Sequence, residues 1–188
     1  VQVRVQTGSR SIRDSCNERR DMADHLQQST SNGDVADELT EAIERVHSLV
    51  RGHALLGVAY SGGVDSATLL ALAAQELGPE GVVGVLGVSD SLATEERKLA
   101  HETANAFGVK VIEIKTYETQ NEKYRANGPD RCFHCRDELF TRISDELVAE
   151  LGLAAVAYGE NSDDSLRPDR PGAAAATKHK VLRPLADA

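Results

Sequence analysis

Six consecutive residues, Ser61-Gly62-Gly63-Val64-Asp65-Ser66, carry the densest chemistry in this chain of 188 residues. They follow an apolar run, Ala54-Leu55-Leu56-Gly57-Val58. They lead into Ala67-Thr68-Leu69-Leu70-Ala71-Leu72-Ala73-Ala74, a stretch of good helix formers. A strand that passes through a glycine pair into a helix is the sequence form of an anion cradle. The glycines let backbone approach an anion, the first N–H groups of the helix lack partners of their own, and the helix dipole favours negative charge. The bland alternative is a tight turn in which Asp65 or Ser66 merely caps the helix. Six apt residues in one strand–turn–helix setting weigh against it.

Two further segments carry reactive groups. Cys132-Phe133-His134-Cys135, flanked by Arg131 and Arg136, has a spacing that suits a metal, an iron–sulfur cluster, redox chemistry or sulfur carriage. A closed zinc site needs four ligands, and the sequence holds no second cysteine pair, so an intrachain zinc site is not expected. The plain alternative is two thiols that pack at a helix start. The two arginines and that helix N-terminus would lower a thiol pKa. The third segment, residues 159–172, holds Glu160, Asp163, Asp164, Arg167 and Arg170. Carboxylates beside arginines at a strand end would hold a metal and an anionic substrate, whereas the same composition also suits a solvated turn-rich loop.

Alternating apolar elements must position these segments. The pattern predicts a helix over residues 34–51 with Val35, Leu39, Ala42, Ile43, Val46, Leu49 and Val50 on one face. Strands are expected over 53–60, 82–88, 109–114 and 154–158, the third with a burial pattern that reads either way. Helices fill the intervals, ending near Leu77, spanning 93–107, and spanning 135–151. Strands alternating with helices imply an α/β fold, a parallel sheet with helices on both faces. Ligands of such sheets bind beyond the carboxyl ends of the strands. The loops 61–66, 89–91 (with Ser89) and 159–170 all fall at that edge.

Composition narrows the classes. With 21 basic and 30 acidic residues the net charge is −9, which argues against a nucleic-acid partner. No apolar run reaches membrane-spanning length, and the three cysteines fit a reducing cytoplasm. Residues 1–33, rich in Ser, Arg, Gln and Asn, read as a disordered extension ahead of one domain over 34–188. Met22 is the expected true start, and Cys16 is given no function.

The Ser-Gly-Gly-x-Asp-Ser loop resembles the pyrophosphate loop of the ATP pyrophosphatase (PP-loop) superfamily. It differs from a Walker A loop, since Gly52 and Gly57 have the spacing but are followed by Val58-Ala59 rather than Lys-Ser/Thr. A dinucleotide Gly-x-Gly is absent as well. With residues 127–136, the 159–172 loop and Val181-Leu182-Arg183-Pro184-Leu185 in this order, the chain is similar over about residues 34–188 to the ATP-dependent sacrificial sulfur transferases (the LarE family). The resemblance implies an adenine nucleotide alpha hydrolase-like, PP-loop Rossmann-like fold, with ATP and Mg²⁺ as cofactors. It assigns phosphate binding to Ser61, Gly62, Gly63, Val64, Asp65, Ser66 and Ser89, and the metal to Asp65. Asp65, Asp164 and Arg167 are the candidate catalytic residues.

The implied activity is adenylylation of a carboxylate of a pyridinium-dicarboxylate mononucleotide, ahead of sulfur transfer in nickel-pincer cofactor biosynthesis. Cys132 and Cys135 keep a thiol role or an iron–sulfur cluster as open assignments. A homo-oligomer acting in the cytoplasm on a small nucleotide, without membrane or nucleic acid, is expected. The family's sulfur-donor cysteine is expected beyond residue 188. The alternatives are another AMP-forming PP-loop ligase, either an amidating NAD or GMP synthetase type or a tRNA thiolase, and an inactive nucleotide-binding fragment.

Overall fold

The computed structural model describes residues 32–161 and 172–188. The chain divides into two compact units, Val1–Thr40 and Glu41–Ala188. The described part of the first is the opening of helix α1 (Asn32–Val50), where Val35 and Leu39 are exposed. The disordered extension expected over 1–33 lies outside the described residues, apart from Asn32 and Gly33 at the start of α1.

The second unit continues from α1 through β1 (Leu56–Ala59), α2 (Val64–Leu77), β2 (Val82–Val88), α3 (Thr94–Ala106) and β3 (Lys110–Lys115). It goes on through α4 (Glu122–Arg125), α5 (Arg131–Arg142), α6 (Val148–Leu151), β4 (Ala155–Tyr158), α7 (Gly172–His179) and α8 (Pro184–Asp187). The strands pair in parallel in the order β3-β2-β1-β4. Val181-Leu182 extends the sheet: Tyr158 N–H donates to the Leu182 carbonyl at 3.0 Å, and Leu182 N–H to that of Val156 at 2.8 Å. From β1 the chain first steps outward through β2 and β3, then returns to place β4 on the other side of β1. The switch point therefore lies between the carboxyl ends of β1 and β4, where such sheets bind ligands.

Alternation along the strands feeds two cores, one on each face. Leu56, Val58 and Tyr60 join Val46 and Val50 of α1, Leu69, Leu70 and Ala73 of α2, and Ala100 and Ala104 of α3. Ala59, Val83 and Val85 face the opposite way, onto Phe140, Ile143, Leu147, Ala175 and Ala176. Each large apolar side chain so buried contributes about 1.5–3 kcal/mol, which is why two thin helical layers suffice to hold a four-stranded sheet.

The third strand's ambiguity resolves by pairing rather than by burial. Val111 packs on the first core, Ile112 and Ile114 on the second. Glu113 is bound by Arg97 and His101 of α3. The Arg97 guanidinium first, then His101, holds the Glu113 carboxyl down to about 2.

The helix expected over 135–151 begins earlier, at Arg131, and is broken by a π-helical turn at Ile143–Leu147 before α6. The turn at Gly128-Pro129-Asp130 feeds straight into it, with Arg131 N–H on the Gly128 carbonyl at 3.1 Å and His134 N–H on that of Asp130 at 3.2 Å. Proline presets such a turn. Both Cys132 and Cys135 consequently sit at the start of α5. That helix is tied to α7 by Asp137, which takes Lys178 Nζ and His179 Nε2 at 2.7 Å each. Burial would raise the Asp137 carboxyl, but these two partners hold it below its ordinary value. Among the described residues no helix is long and apolar enough to cross a membrane.

Candidate functional site

The loop between β1 and α2 is built on a glycine where any side chain would be strained. Gly62 has φ +78°, a conformation L side chains rarely adopt, and a Cβ there would lie 2.9 Å from the Ala100 Cβ of α3. Gly63 is the N-cap of α2, and among the described residues no side chain caps that helix. Ser66 turns inward instead: its Oγ donates to the Gly63 carbonyl at 3.0 Å and accepts from Ser61 N–H at 3.3 Å. Ser61 Oγ lies 3.2 Å from Ser66 Oγ and accepts from Gly63 N–H at 3.3 Å.

The capping alternative therefore fails, because neither Asp65 nor Ser66 closes the helix end. By helix geometry the N–H groups of Val64, Asp65 and Ser66 have no intrahelical acceptor, an arrangement that suits an anion. Because Ser66 uses its hydroxyl proton on Gly63, Ser61 is the donor in the contact between the two serines, and it is the exposed one of the pair. Val64, at the crest, is 78 % exposed.

The end of β4 faces this loop across the switch point. Gly159 follows β4 directly, and a Cβ on it would lie 2.7 Å from both Asp65 C and Ser66 N. Two residues on, Asn161 Nδ2 donates to Asp65 Oδ2 at 3.2 Å. Between them Glu160 is fully buried, 3.7 Å from Arg136 and 3.4 Å from Arg183. Burial, then the neighbouring Glu160, pushes the Tyr158 phenol above its ordinary value. Asp164 and Arg167, the other candidate catalytic residues, lie outside the described residues.

The loop after β2 supplies Ser89, whose Oγ lies 2.8 Å from Ser91 Oγ. Ser91 in turn donates to Glu118 Oε1 at 3.4 Å. Cys132 is exposed, whereas Cys135 lines a cavity of about 150 Å³ together with Ser61 and Glu118. The structure thus brings the second cysteine of the pair, but not the first, to the cavity beside the loop at 61–66. The expected lowering of the thiol pKa is corrected for Cys135. Burial pushes it up and Glu118 adds to that, outweighing Arg136 and Arg131. His134 points its Nε2 at Asp130 Oδ2, 3.0 Å away. Among the described residues no group of three or more His, Cys, Asp or Glu is placed to share a metal ion.

Glu118 was not foreseen as a site residue; Gly159 and Asn161 fell within the 159–170 loop expected at the ligand edge, without a role of their own. Gly159 and Asn161 had a signal, standing directly after an apolar strand at the ligand edge. Glu118 had none, since a glutamate within a polar stretch reads as solvated.

A parallel sheet with its switch point at β1/β4, and an uncapped Ser-Gly-Gly-x-Asp-Ser helix start there, define a PP-loop ATP pyrophosphatase domain. The sequence matches the asparagine synthase family over residues 34–157, and the chain belongs to that family of PP-loop ATP-utilising proteins. It is 39 % identical over 130 residues to an uncharacterized protein of Synechocystis, covering 69 % of this chain and 47 % of that one. It is 30 % identical over 113 residues to pyridinium-3,5-bisthiocarboxylic acid mononucleotide synthase of Lactiplantibacillus plantarum, covering 59 % of this chain and 41 % of that one. The chain therefore spans less than half the length of these two relatives. Among solved structures it is similar in fold to the NH3-dependent NAD synthetase of Campylobacter jejuni, with TM-score 0.51 and 14 % identity over 68 % of this chain and 58 % of that one.

Proposed function

We propose that this chain supplies the ATP-activating part of an enzyme that adenylylates a carboxylate of a pyridinium-dicarboxylate mononucleotide, ahead of sulfur transfer in nickel-pincer cofactor biosynthesis. The observation that carries the reading is the uncapped start of α2, closed on one side by Gly62 and on the other by Gly159. The name of the Lactiplantibacillus relative supports the choice of substrate.

The loop has no lysine to reach a terminal phosphate, so its N–H groups and Ser61 hold the β,γ-pyrophosphate as a leaving group. The α-phosphorus is left facing the end of β4. A substrate carboxylate oxygen bonds to that phosphorus as the bond to the bridging oxygen breaks, and pyrophosphate leaves. The resulting acyl adenylate turns a poor electrophile into one that a sulfur nucleophile can attack. Asp65 stands at the mouth of the seat, oriented by Asn161, and its carboxylate fits a magnesium ion. That ion, when bound, neutralises charge on the departing pyrophosphate. An amidating ligase would share this first half-reaction and differ only in the nucleophile.

Incubation of the chain with MgATP and the pyridinium-dicarboxylate mononucleotide should release pyrophosphate in proportion to acyl adenylate. Release of inorganic phosphate without pyrophosphate would contradict the reading.

A further inference from the structure

A residue that lines the cavity beside the phosphate loop carries a buried acceptor with no partner among the described residues. Glu118, on the short 3₁₀ turn after β3, is only 6 % exposed. Its Oε1 takes the Ser91 hydroxyl at 3.4 Å, while Oε2 is buried without a hydrogen-bond partner among the described residues. Leaving a buried carboxylate oxygen unpaired costs on the order of 1–3 kcal/mol or more. Such groups are rare unless something outside the chain completes them.

The surroundings restrict what that partner is. The cavity is walled by Ser61, Leu86, Leu92, Thr116, Glu118 and Cys135. Ser61 belongs at once to this cavity and to the phosphate loop, so a nucleotide whose phosphates sit on the loop brings its nucleoside end here. The leucines offer an apolar wall to a ring. A carboxylate in this wall disfavours an acidic group beside it and suits the uncharged nucleoside end. What Glu118 lacks is a hydrogen-bond donor, and a nucleoside carries two kinds: the sugar hydroxyls and an exocyclic amino group.

We propose that Glu118 orients the nucleoside end of the bound nucleotide, its Oε2 accepting a hydrogen bond from a donor on the sugar or the base. The inference rests on the phosphate-loop reading above. Glu118 then acts as a specificity-determining residue. It fixes the nucleoside so that the α-phosphorus meets the incoming carboxylate, and it discriminates against nucleotides that lack the donor.

The test pairs deletions on both partners. Binding of the magnesium complexes of ATP, inosine triphosphate, 2′-deoxy-ATP and 3′-deoxy-ATP is measured for the full chain and for Glu118→Ala and Glu118→Gln. The inosine arm removes the amino donor and the deoxy arms remove the hydroxyls. In the unsubstituted chain one of these analogues should bind about ten- to hundredfold more weakly than ATP. In Glu118→Ala that penalty should shrink to less than about threefold. Glu118→Gln retains an acceptor and should keep part of it, and its near-isosteric side chain guards against a mere folding defect. A penalty that is unchanged in Glu118→Ala, or absent for every analogue in the unsubstituted chain, overturns the assignment even if ATP binding weakens overall. Inorganic pyrophosphate, which reaches the loop but not the cavity, separates the two failures. If it binds and no coupling to Glu118 is seen, only this inference falls. If neither pyrophosphate nor ATP binds, the phosphate-loop reading falls with it.

Discussion

Replacing Asp65 with alanine should lower magnesium-dependent ATP cleavage by roughly 10³-fold, with little change in fold stability. The carboxylate sits in the first turn of α2, half-buried, with Oδ2 held by Asn161 at 3.2 Å. An acid at a helix start stabilises the helix by only about 0.3–1 kcal/mol, so the fold loses little. The reaction loses the group proposed to hold the metal against the leaving pyrophosphate, and metal assistance contributes several kcal/mol to such displacements. Removing magnesium with a chelator should cause the same loss in the unsubstituted chain and almost no further loss in Asp65→Ala. Asp65→Asn keeps the shape but loses the charge, and should resemble alanine. Independent, multiplicative effects of chelation and substitution would place the metal elsewhere.

The second large effect comes from a residue with no side chain. Gly159→Ala should weaken MgATP binding by about 10²-fold and lower the thermal midpoint by several degrees. The added Cβ would meet Asp65 C and Ser66 N at 2.7 Å and Asp65 O at 2.8 Å. All three are backbone atoms, so no flexible side chain can swing away. Either the end of β4 or the start of α2 must move. Overpacking of this kind costs about 1–3 kcal/mol, and a misplacement of about 1 Å at a reacting site can cost 10²-fold. Titration calorimetry with MgATP, alongside a thermal melt, separates the two consequences. A variant that binds as tightly as the unsubstituted chain would show that β4 does not fix the loop.

How much of this was legible beforehand depends on what kind of physics placed each residue. The loop at 61–66 could be read because its signals are local: an apolar strand, two glycines and a run of helix formers in sequence. The second strand matched at Val82–Val88 for the same reason. The structure adds that the helix start is uncapped, since Ser66 turns back onto Gly63 rather than outward. The start of α5 was misplaced by four residues because Arg131 and Cys132 carry no helix-start signature. The turn geometry of Gly128-Pro129-Asp130 decides it.

Glu118 was the least legible. It is a charged residue in a polar stretch, and only tertiary packing leaves it 6 % exposed; the 159–172 segment was read with Glu160 in it, but not its complete burial. The Cys135 thiol teaches the same lesson. Neighbours in sequence argued for a lowered pKa, but burial against Glu118 raises it.

The central claim is that residues 61–66 grip a pyrophosphate group at the carboxyl ends of the strands. An amide NMR titration of the chain with magnesium pyrophosphate tests it most directly. The account predicts that the largest shifts fall on the backbone N–H groups of Gly63, Val64, Asp65 and Ser66, with Asn161 following. Another cleft, of about 230 Å³ and lined by Leu55, Glu80, Val82 and Lys110, lies at the opposite edge, where the strands begin. Shifts concentrated there, with the loop amides unmoved, would contradict the account.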